Sequence, residues 1–282
     1  MRSIAVINQK GGVGKTTTAV NLSAAMAEAG KRVCLIDLDP QAHASLHLGL
    51  EQGELEGSIY DVLIRDAALS DVWRKADERL YVVGSHIDVA AVEMELAGIV
   101  GREMILKDRL ADLRDDFDVV IVDCPPSLGI LTLNALCAVE EVLLPLQPHF
   151  LALHGLGKLL ETVDLVAKRL NDRLKLTGVV LCMFESGTRL ASEVSQNVEE
   201  FFAQSRRAEK PWSEARIFTT RIRRNIRLAE APSFGQSIFQ YAPSSNGAAD
   251  YRDLTAEFLE QVSGTAGQPP RHHHEATAGY LL

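Results

Sequence analysis

Residues Gln9, Lys10, Gly11, Gly12, Val13, Gly14, Lys15, Thr16 and Thr17 follow directly on the apolar run Ile4-Ala5-Val6-Ile7 and lead into an alanine-rich stretch of helical character. A strand, a glycine loop and a helix in that order leave a chain few folds, because the loop must turn its backbone N–H groups inward while the helix points its positive end at the same spot. Such a spot holds phosphate. Lys15 is placed to reach β- and γ-phosphates, and the Thr16 hydroxyl to ligate Mg²⁺. The common spacing Gly-x-x-x-x-Gly-Lys-Thr would put glycine at position 9, where this chain has Gln9, and a second lysine, Lys10, stands at the head of the loop. That departure narrows the chain to one branch of the proteins that carry such loops.

With 282 residues, 46 % of them hydrophobic, the chain can bury a large core. Apolar runs are of strand length and broken by charge, which predicts no membrane-spanning helix. The start, Met1-Arg2-Ser3-Ile4, enters the first strand at once, so no signal peptide is expected and the compartment is read as cytoplasmic. Cys34, Cys124, Cys137 and Cys182 are scattered without a Cys-x-x-Cys pair and are expected as small buried residues.

Strands are predicted over 3–8, 32–37, 80–83, 118–123, 142–146 and 176–184, several nearly continuous in Val, Ile and Leu as strands buried on both faces should be. Amphipathic segments fall between them at 16–29, 101–115 and 156–171. Strands alternating with helices predict an α/β fold with a doubly wound, mostly parallel sheet flanked by helices. Residues 203–215 read as a surface loop. Residues 1–264 are expected to form a single domain, and 265–282, rich in Gly, Thr, Pro and His, a disordered tail.

Ligands on such sheets bind beyond the carboxyl ends of the strands. Two predicted strands end there in acids: Leu35-Ile36-Asp37-Leu38-Asp39-Pro40 and Val120-Ile121-Val122-Asp123-Cys124-Pro125-Pro126. A single Asp after a strand is most often a turn or helix cap. Three beside a phosphate loop point instead to magnesium (Asp37 and Asp123, with Thr16) and to the attacking water of a nucleotide hydrolase (Asp39).

Lys10–Thr17, Asp37-Leu38-Asp39-Pro40-Gln41 and Val122-Asp123-Cys124-Pro125-Pro126-Ser127-Leu128-Gly129 resemble the deviant Walker A, switch I and Walker B/switch II elements of the ParA/Soj partition ATPases, a group of P-loop NTPases. Asn225–Gly235 and Asn246-Gly247-Ala248-Ala249-Asp250-Tyr251 match two more stretches of that family, and the similarity runs from about residue 3 to 262. The resemblance implies an ATPase that forms a homodimer around two ATP molecules, binds double-stranded DNA without sequence preference, associates with the nucleoid and is reset by a ParB-like or cargo-adaptor partner that stimulates hydrolysis. It implies that Lys10 reaches the partner subunit's phosphates, that Lys15 binds the β/γ-phosphates, that Thr16 holds Mg²⁺, that Asp39 orients water and that Asp123 supports the metal through water. Residues 10–17 would form the ATP site, with Asn225 near the adenine. The family's Pro-Arg-Asn run reads Arg223-Arg224-Asn225 here.

The net charge is −9, yet five arginines (Arg216, Arg221, Arg223, Arg224, Arg227) occur without an acidic residue between the first and the last. A charge run of this kind is ordinarily a solvated helix face. Five arginines without a neighbouring acid in an acidic protein argue instead for a local nucleic-acid patch. The resemblance matches Arg224 to a DNA-contacting position. A second such position, just after the 176–184 strand, holds Gly187-Thr188 here, with Arg189 as the available substitute. Arg221 and Arg227 complete the candidate DNA-binding set. His43 and His47, four residues apart, lack the further ligands of a metal site and are expected on a helix surface. Two alternatives remain in the same superfamily. A MinD-like membrane-cycling regulator needs a basic amphipathic C-terminal helix, which the Pro- and His-containing tail does not offer. An iron–sulfur carrier needs exposed cysteines.

Overall fold

The computed structural model describes residues 1–265 apart from 52, 54, 150, 151, 188, 207 and 208, and only the backbone of 152–154, 190 and 261–265. Eight strands form one sheet: β1 (Arg2–Val6), β2 (Val33–Asp37), β3 (Trp73–Lys75), β4 (Leu80–Val83), β5 (Val119–Asp123), β6 (Glu141–Leu146), β7 (Lys175–Phe184) and β8 (Arg216–Arg223). Their order is β3-β4-β2-β5-β1-β6-β7-β8. All neighbours run parallel except β3, which pairs antiparallel with β4 at the edge. The helices are α1 (Lys15–Glu28), α2 (His43–His47), α3 (Ile59–Ile64), α4 (Leu69–Val72), α5 (Val92–Glu95), α6 (Ile105–Ala111), α7 (Ile130–Ala138), α8 (Ala152–Arg169), α9 (Arg189–Ser205), α10 (Ile226–Glu230), α11 (Ile238–Tyr241) and α12 (Asn246–Thr265).

Successive strand residues point to opposite faces, and the continuous apolar runs supply two cores at once. Ala5, Cys34, Ile36, Val120, Val122 and Leu144 face one layer, where Val62, Leu110, Leu136 and Val163 cover them. Ile4, Val6, Leu35, Val119 and Ile121 face the other, against Val20 and Leu22 of α1 and Leu254 and Phe258 of α12. The doubly wound sheet is therefore as expected. No helix among the described residues is long and apolar enough to cross a membrane.

Two strands escape the sequence pattern. β3 is three residues of Trp, Arg and Lys, too short to show alternation. β8 is the arginine-rich segment, which is an edge strand and not a helix: Phe218 and Ile222 are buried while Arg216, Thr219 and Arg223 face outward. The 203–215 segment also differs from a plain surface loop. α9 extends to Ser205, and Trp212 is buried in the core beneath the Lys210 ammonium, 5.5 Å from the ring centroid.

The β7–β8 pairing is irregular, with register shifts on both sides of Leu181. It begins where Gly178 lies against Arg216: a Cβ on Gly178 would sit 2.5 Å from the Arg216 carbonyl oxygen and 2.9 Å from the Phe218 ring. Gly178→Val should therefore destabilise the fold by about 1–3 kcal/mol. Urea titration should show a lower midpoint at unchanged slope; an unchanged midpoint would mean that β8 yields freely.

Candidate functional site

Chain direction around β1 sets the site. α1 carries the chain from β1 to β2 on one side, whereas β6 flanks β1 on the other, so the C-terminal ends of β1, β2 and β5 meet where the winding reverses. The loop between β1 and α1 turns through two left-handed glycines, Gly12 at φ +72° and Gly14 at φ +93°, a region costly for any residue with a Cβ. Gly14 is the N-cap of α1, Val13 is buried, and Thr16 and Thr17 are half-buried in the first turn. Asn8, which the sequence pattern does not single out, fixes the loop's entry. Its amide donates to the Pro145 carbonyl at 2.7 Å, and its oxygen accepts from the Lys10 N–H at 3.0 Å. An Asn two residues past the strand is the available signal.

The two loop lysines differ sharply. Lys15 is only 7 % exposed and donates from Nζ to the Lys10 carbonyl at 3.1 Å. Burial lowers its pKa, while Asp123 and Asp39 oppose that shift. Lys10 is exposed, and no hydrogen bond or ion pair among the described residues engages its ammonium.

The three predicted acids come together, in three different states. Asp37 and Asp123 are register partners on β2 and β5, and both are fully buried. Asp37 accepts from Ser45 N–H at 2.9 Å, Ser45 hydroxyl at 2.8 Å and Asp39 N–H at 3.1 Å. Those bonds tie Asp37 to Ser45 within α2 and to the backbone of the switch segment. Burial nevertheless raises its pKa to about 6. Asp39 is also buried, its carboxylate accepting from the Gln41 N–H at 3.0 Å in a turn closed by Ala42 at φ +52°. Asp123 stands apart: neither of its oxygens has a hydrogen-bond partner. Burial pushes its pKa well up and neighbouring Asp37 adds to this, whereas Thr16 and Lys15 pull it down.

A buried, unpartnered carboxylate beside a hydroxyl and a phosphate-type loop is the donor set that a hard divalent cation with its waters would satisfy. Among the described residues no group of three or more His, Cys, Asp or Glu side chains is placed to hold a metal by itself, so phosphate oxygens and water would complete any such shell. The expected histidine surface pair is corrected: His43 is exposed, but His47 is buried, its pKa pushed down to about 4. All four cysteines are buried, as expected, and burial raises Cys34 and Cys182 to about 12, which leaves no exposed thiol for a shared cluster.

Arg223, Arg224 and Arg227 lie at or beyond the carboxyl end of β8, two strands from β6, whereas Arg216 opens β8 at the opposite, amino end; four of the five arginines are paired. Arg216 pairs with Glu257, Arg223 with Asp250, Arg224 with Glu185 at 3.0 Å and Arg227 with Glu230 at 2.8 Å. The acids come from other elements, so only the Arg227–Glu230 helix pair is visible in the local sequence. Arg224 and Arg227 remain exposed, 74 % and 54 % of their side chains, and such surface pairs are worth little energy. Arg221 is half-buried near the Phe184 ring, and burial lowers its pKa. Arg189 opens α9, 92 % exposed, paired with Glu193. Gly187 has φ +86°, a conformation that an arginine there would strain to adopt. The Asn225 side chain caps α10 by accepting from the Arg227 N–H at 2.8 Å. The His272–His274 run and the C-terminal tail lie outside the described residues.

Asp123 carries a stability cost that its neutral isostere avoids. A carboxyl whose pKa is raised by folding favours the fold below its unfolded value near 4, and that contribution is lost as pH rises through the folded value; for Asp37 that window ends at about 6. Asp123→Asn should therefore raise the melting temperature of the ligand-free protein at pH 8, by roughly 2–6 °C. The gain should shrink as pH falls and the wild-type Asp123 carboxyl takes up its proton. Equal or lower melting temperatures at pH 8 would show that the carboxylate is better solvated than its geometry indicates.

The architecture and the loop have close counterparts. Residues 1–176 match the family model described as an AAA domain. The sporulation initiation inhibitor protein Soj of Bacillus subtilis is 44 % identical over 90 % of this chain and 96 % of its own length. The chromosome partitioning protein ParA of Myxococcus xanthus is 41 % identical over 92 % of this chain and 88 % of its own. Among solved structures, cobyrinic acid a,c-diamide synthase from Mycobacterium smegmatis, crystallised with ADP and magnesium, is 37 % identical over 93 % of this chain and 96 % of its own, with a TM-score of 0.78. The phosphate loop, the acids of β2 and β5 and the sheet order thus sit in a chain that belongs to the Soj/ParA family of chromosome-partitioning ATPases.

Proposed function

We propose that this protein is a magnesium-dependent ATPase that dimerises on ATP, binds DNA without sequence preference and drives partitioning or positioning of cargo over the nucleoid in the cytoplasm, with no membrane step. The observation that carries the nucleotide chemistry is the orphaned Asp123 carboxylate beside Thr16 and Lys15 at a left-handed glycine loop. ATP is the substrate. Thr16, and Asp123 through water, would hold magnesium, which would supply charge neutralisation on the phosphates.

The chain's own residues do the rest. N–H groups of Gly11 to Thr17 cradle phosphate, and Lys15 exchanges its bond to the Lys10 carbonyl for phosphate oxygens. Asp37 holds the switch segment through Ser45 so that Asp39 can accept a hydrogen bond from the attacking water. Lys10, exposed and unengaged, reaches the phosphates of the partner subunit's ATP, where its charge stabilises the transferred phosphoryl as an arginine finger does. Hydrolysis then depends on the dimer, which makes the site a timer. A ParB-like or cargo-adaptor protein would set its rate. Asn225, at the start of α10, would border the adenine.

DNA contact falls to the exposed Arg224, Arg227 and Arg189, with half-buried Arg221 behind them. Each exposed arginine gives up a weak surface ion pair for a phosphate, which brings affinity without base readout.

Two measurements test these assignments. Lys10→Ala should abolish the ATP-dependent monomer–dimer shift in sedimentation velocity while ATP still binds within a few-fold, whereas Lys15→Ala should lose ATP binding itself. A Lys10→Ala protein that dimerises normally would remove the trans role. For DNA, engagement of about four to eight phosphates predicts a slope of log affinity against log salt of roughly −4 to −7. Arg224→Ala or Arg227→Ala should make that slope shallower by about 1 for each phosphate no longer neutralised. Salt-independent or ATP-independent binding would refute the electrostatic edge.

A further inference from the structure

The run Asn246-Gly247-Ala248-Ala249-Asp250-Tyr251 has no part in the chemistry above, yet it forms the first turns of α12, and the structure shows what it touches. Asp250, 4 % exposed, accepts from the Arg223 backbone N–H and from its guanidinium Nε, both at 2.9 Å. One residue on, the fully enclosed Tyr251 hydroxyl lies 3.2 Å from the Thr18 hydroxyl of α1. Thr18 is the residue whose N–H closes the first turn of α1 on the Gly14 carbonyl, at 2.9 Å. Gly247 packs so closely on α10 that a Cβ there would stand 2.8 Å from Leu228.

Farther along the same helix, Glu257 accepts from the Thr219 and Thr220 N–H groups at 2.7 and 2.9 Å. Those amides fall in the stretch of β8 where the ladder to β7 loses register. Backbone donors that the ladder leaves unpaired need partners, and here α12 supplies through two carboxylates what the sheet does not, at exposed Thr219 and half-buried Thr220 through Glu257 and at Arg223 through Asp250. β8 is thus an edge strand hung on α12, and α10 follows it. Since the other end of this arrangement rests on Thr18, one turn into the phosphate-loop helix, α12 bridges the loop and the arginines.

We propose that α12 is the arm that sets the arginine edge by nucleotide state, with Tyr251 against Thr18 as its contact to the phosphate loop and Asp250 and Glu257 as its grip on β8. Asp250 and Tyr251 are positioning residues and touch neither phosphate nor DNA. Movement of the Gly14–Thr18 turn on ATP binding displaces the Tyr251 hydroxyl, α12 carries β8 and α10 with it, and Arg224 and Arg227 reach the geometry that phosphates accept. The DNA consequence rests on the proposed function of the arginine edge; the mechanical link does not.

Tyr251→Phe removes one hydroxyl and keeps the ring, so the fold should survive, with a melting temperature close to that of wild type. Thr18→Val removes the opposing hydroxyl, and Thr18→Ser retains it. Backbone hydrogen exchange over β8, residues 216–223, which excludes the Asn225 that the adenine would border, reads the link when measured with and without ATP–Mg²⁺ at saturation. ATP should slow exchange there in wild type and in Thr18→Ser, but not in Tyr251→Phe or Thr18→Val, and the double variant Thr18→Val/Tyr251→Phe should lose no more than either single one. In parallel, the ratio of DNA affinities with ATP and ADP, expected in the range of roughly 5- to 150-fold for wild type, should fall toward one in Tyr251→Phe. ATP-induced protection that persists in Tyr251→Phe with ATP bound overturns the proposal. Protection lost in Tyr251→Phe, with no DNA binding even by wild type, leaves the arm standing and removes the DNA assignment alone.

Discussion

Charge at the end of β5 governs this structure. The register of the parallel ladders sets Asp123 against Asp37 on one side and Val6 on the other, and both carboxylates are fully buried. An unpaired carboxylate there is disfavoured by several kcal/mol. Opposing that penalty are Lys15, itself desolvated, and the hydroxyl of Thr16. Asp37 escapes the same penalty through Ser45 and the Asp39 amide, and in doing so anchors the segment that carries Asp39. The acids that look alike in sequence therefore differ in state: one is satisfied by α2, one by a turn, and one has no hydrogen-bond partner in the protein.

The same demand for backbone satisfaction appears at the sheet's far edge. β8 cannot keep register with β7, because Gly178 lets Arg216 and Phe218 approach and the ladder then slips past Leu181. Its N–H groups are met by Glu257 and Asp250 of α12. An irregular strand is normally a weak point; here a helix that also touches α1 satisfies the strand's free N–H groups. Edge strands are often blunted with charge, which stops edge-to-edge pairing. The arginines of β8 fit that use as well as phosphate contact.

Much of this is legible in the sequence. Gly12, Gly14, Lys15 and Thr16 announce the loop because few other structures need left-handed glycines directly before a helix. Strands β1, β2, β5, β6 and β7 show as apolar runs because both of their faces are buried. β8 is not legible, since Phe218 and Ile222 are its only buried large residues and arginines mask the alternation. Trp212 is hidden for a similar reason, being one aromatic residue within a polar stretch. His47 gives no sign of its burial because a helix of a single turn has no periodicity to show which side is inward.

By itself the sequence determined the loop, the strand–helix alternation and the presence of acids at strand ends, since these depend on local backbone conformation and on hydrophobic runs. Partners were decided only by the tertiary structure. Which acid would be satisfied, which arginines would be paired and by whom, and which helix would hold the edge strand all depend on groups brought together from distant parts of the chain. Arg223 and Asp250 lie 27 residues apart, and Thr18 and Tyr251 lie 233 apart. No local pattern encodes such a contact, because hydrogen bonds and desolvation act through space after packing has chosen the neighbours.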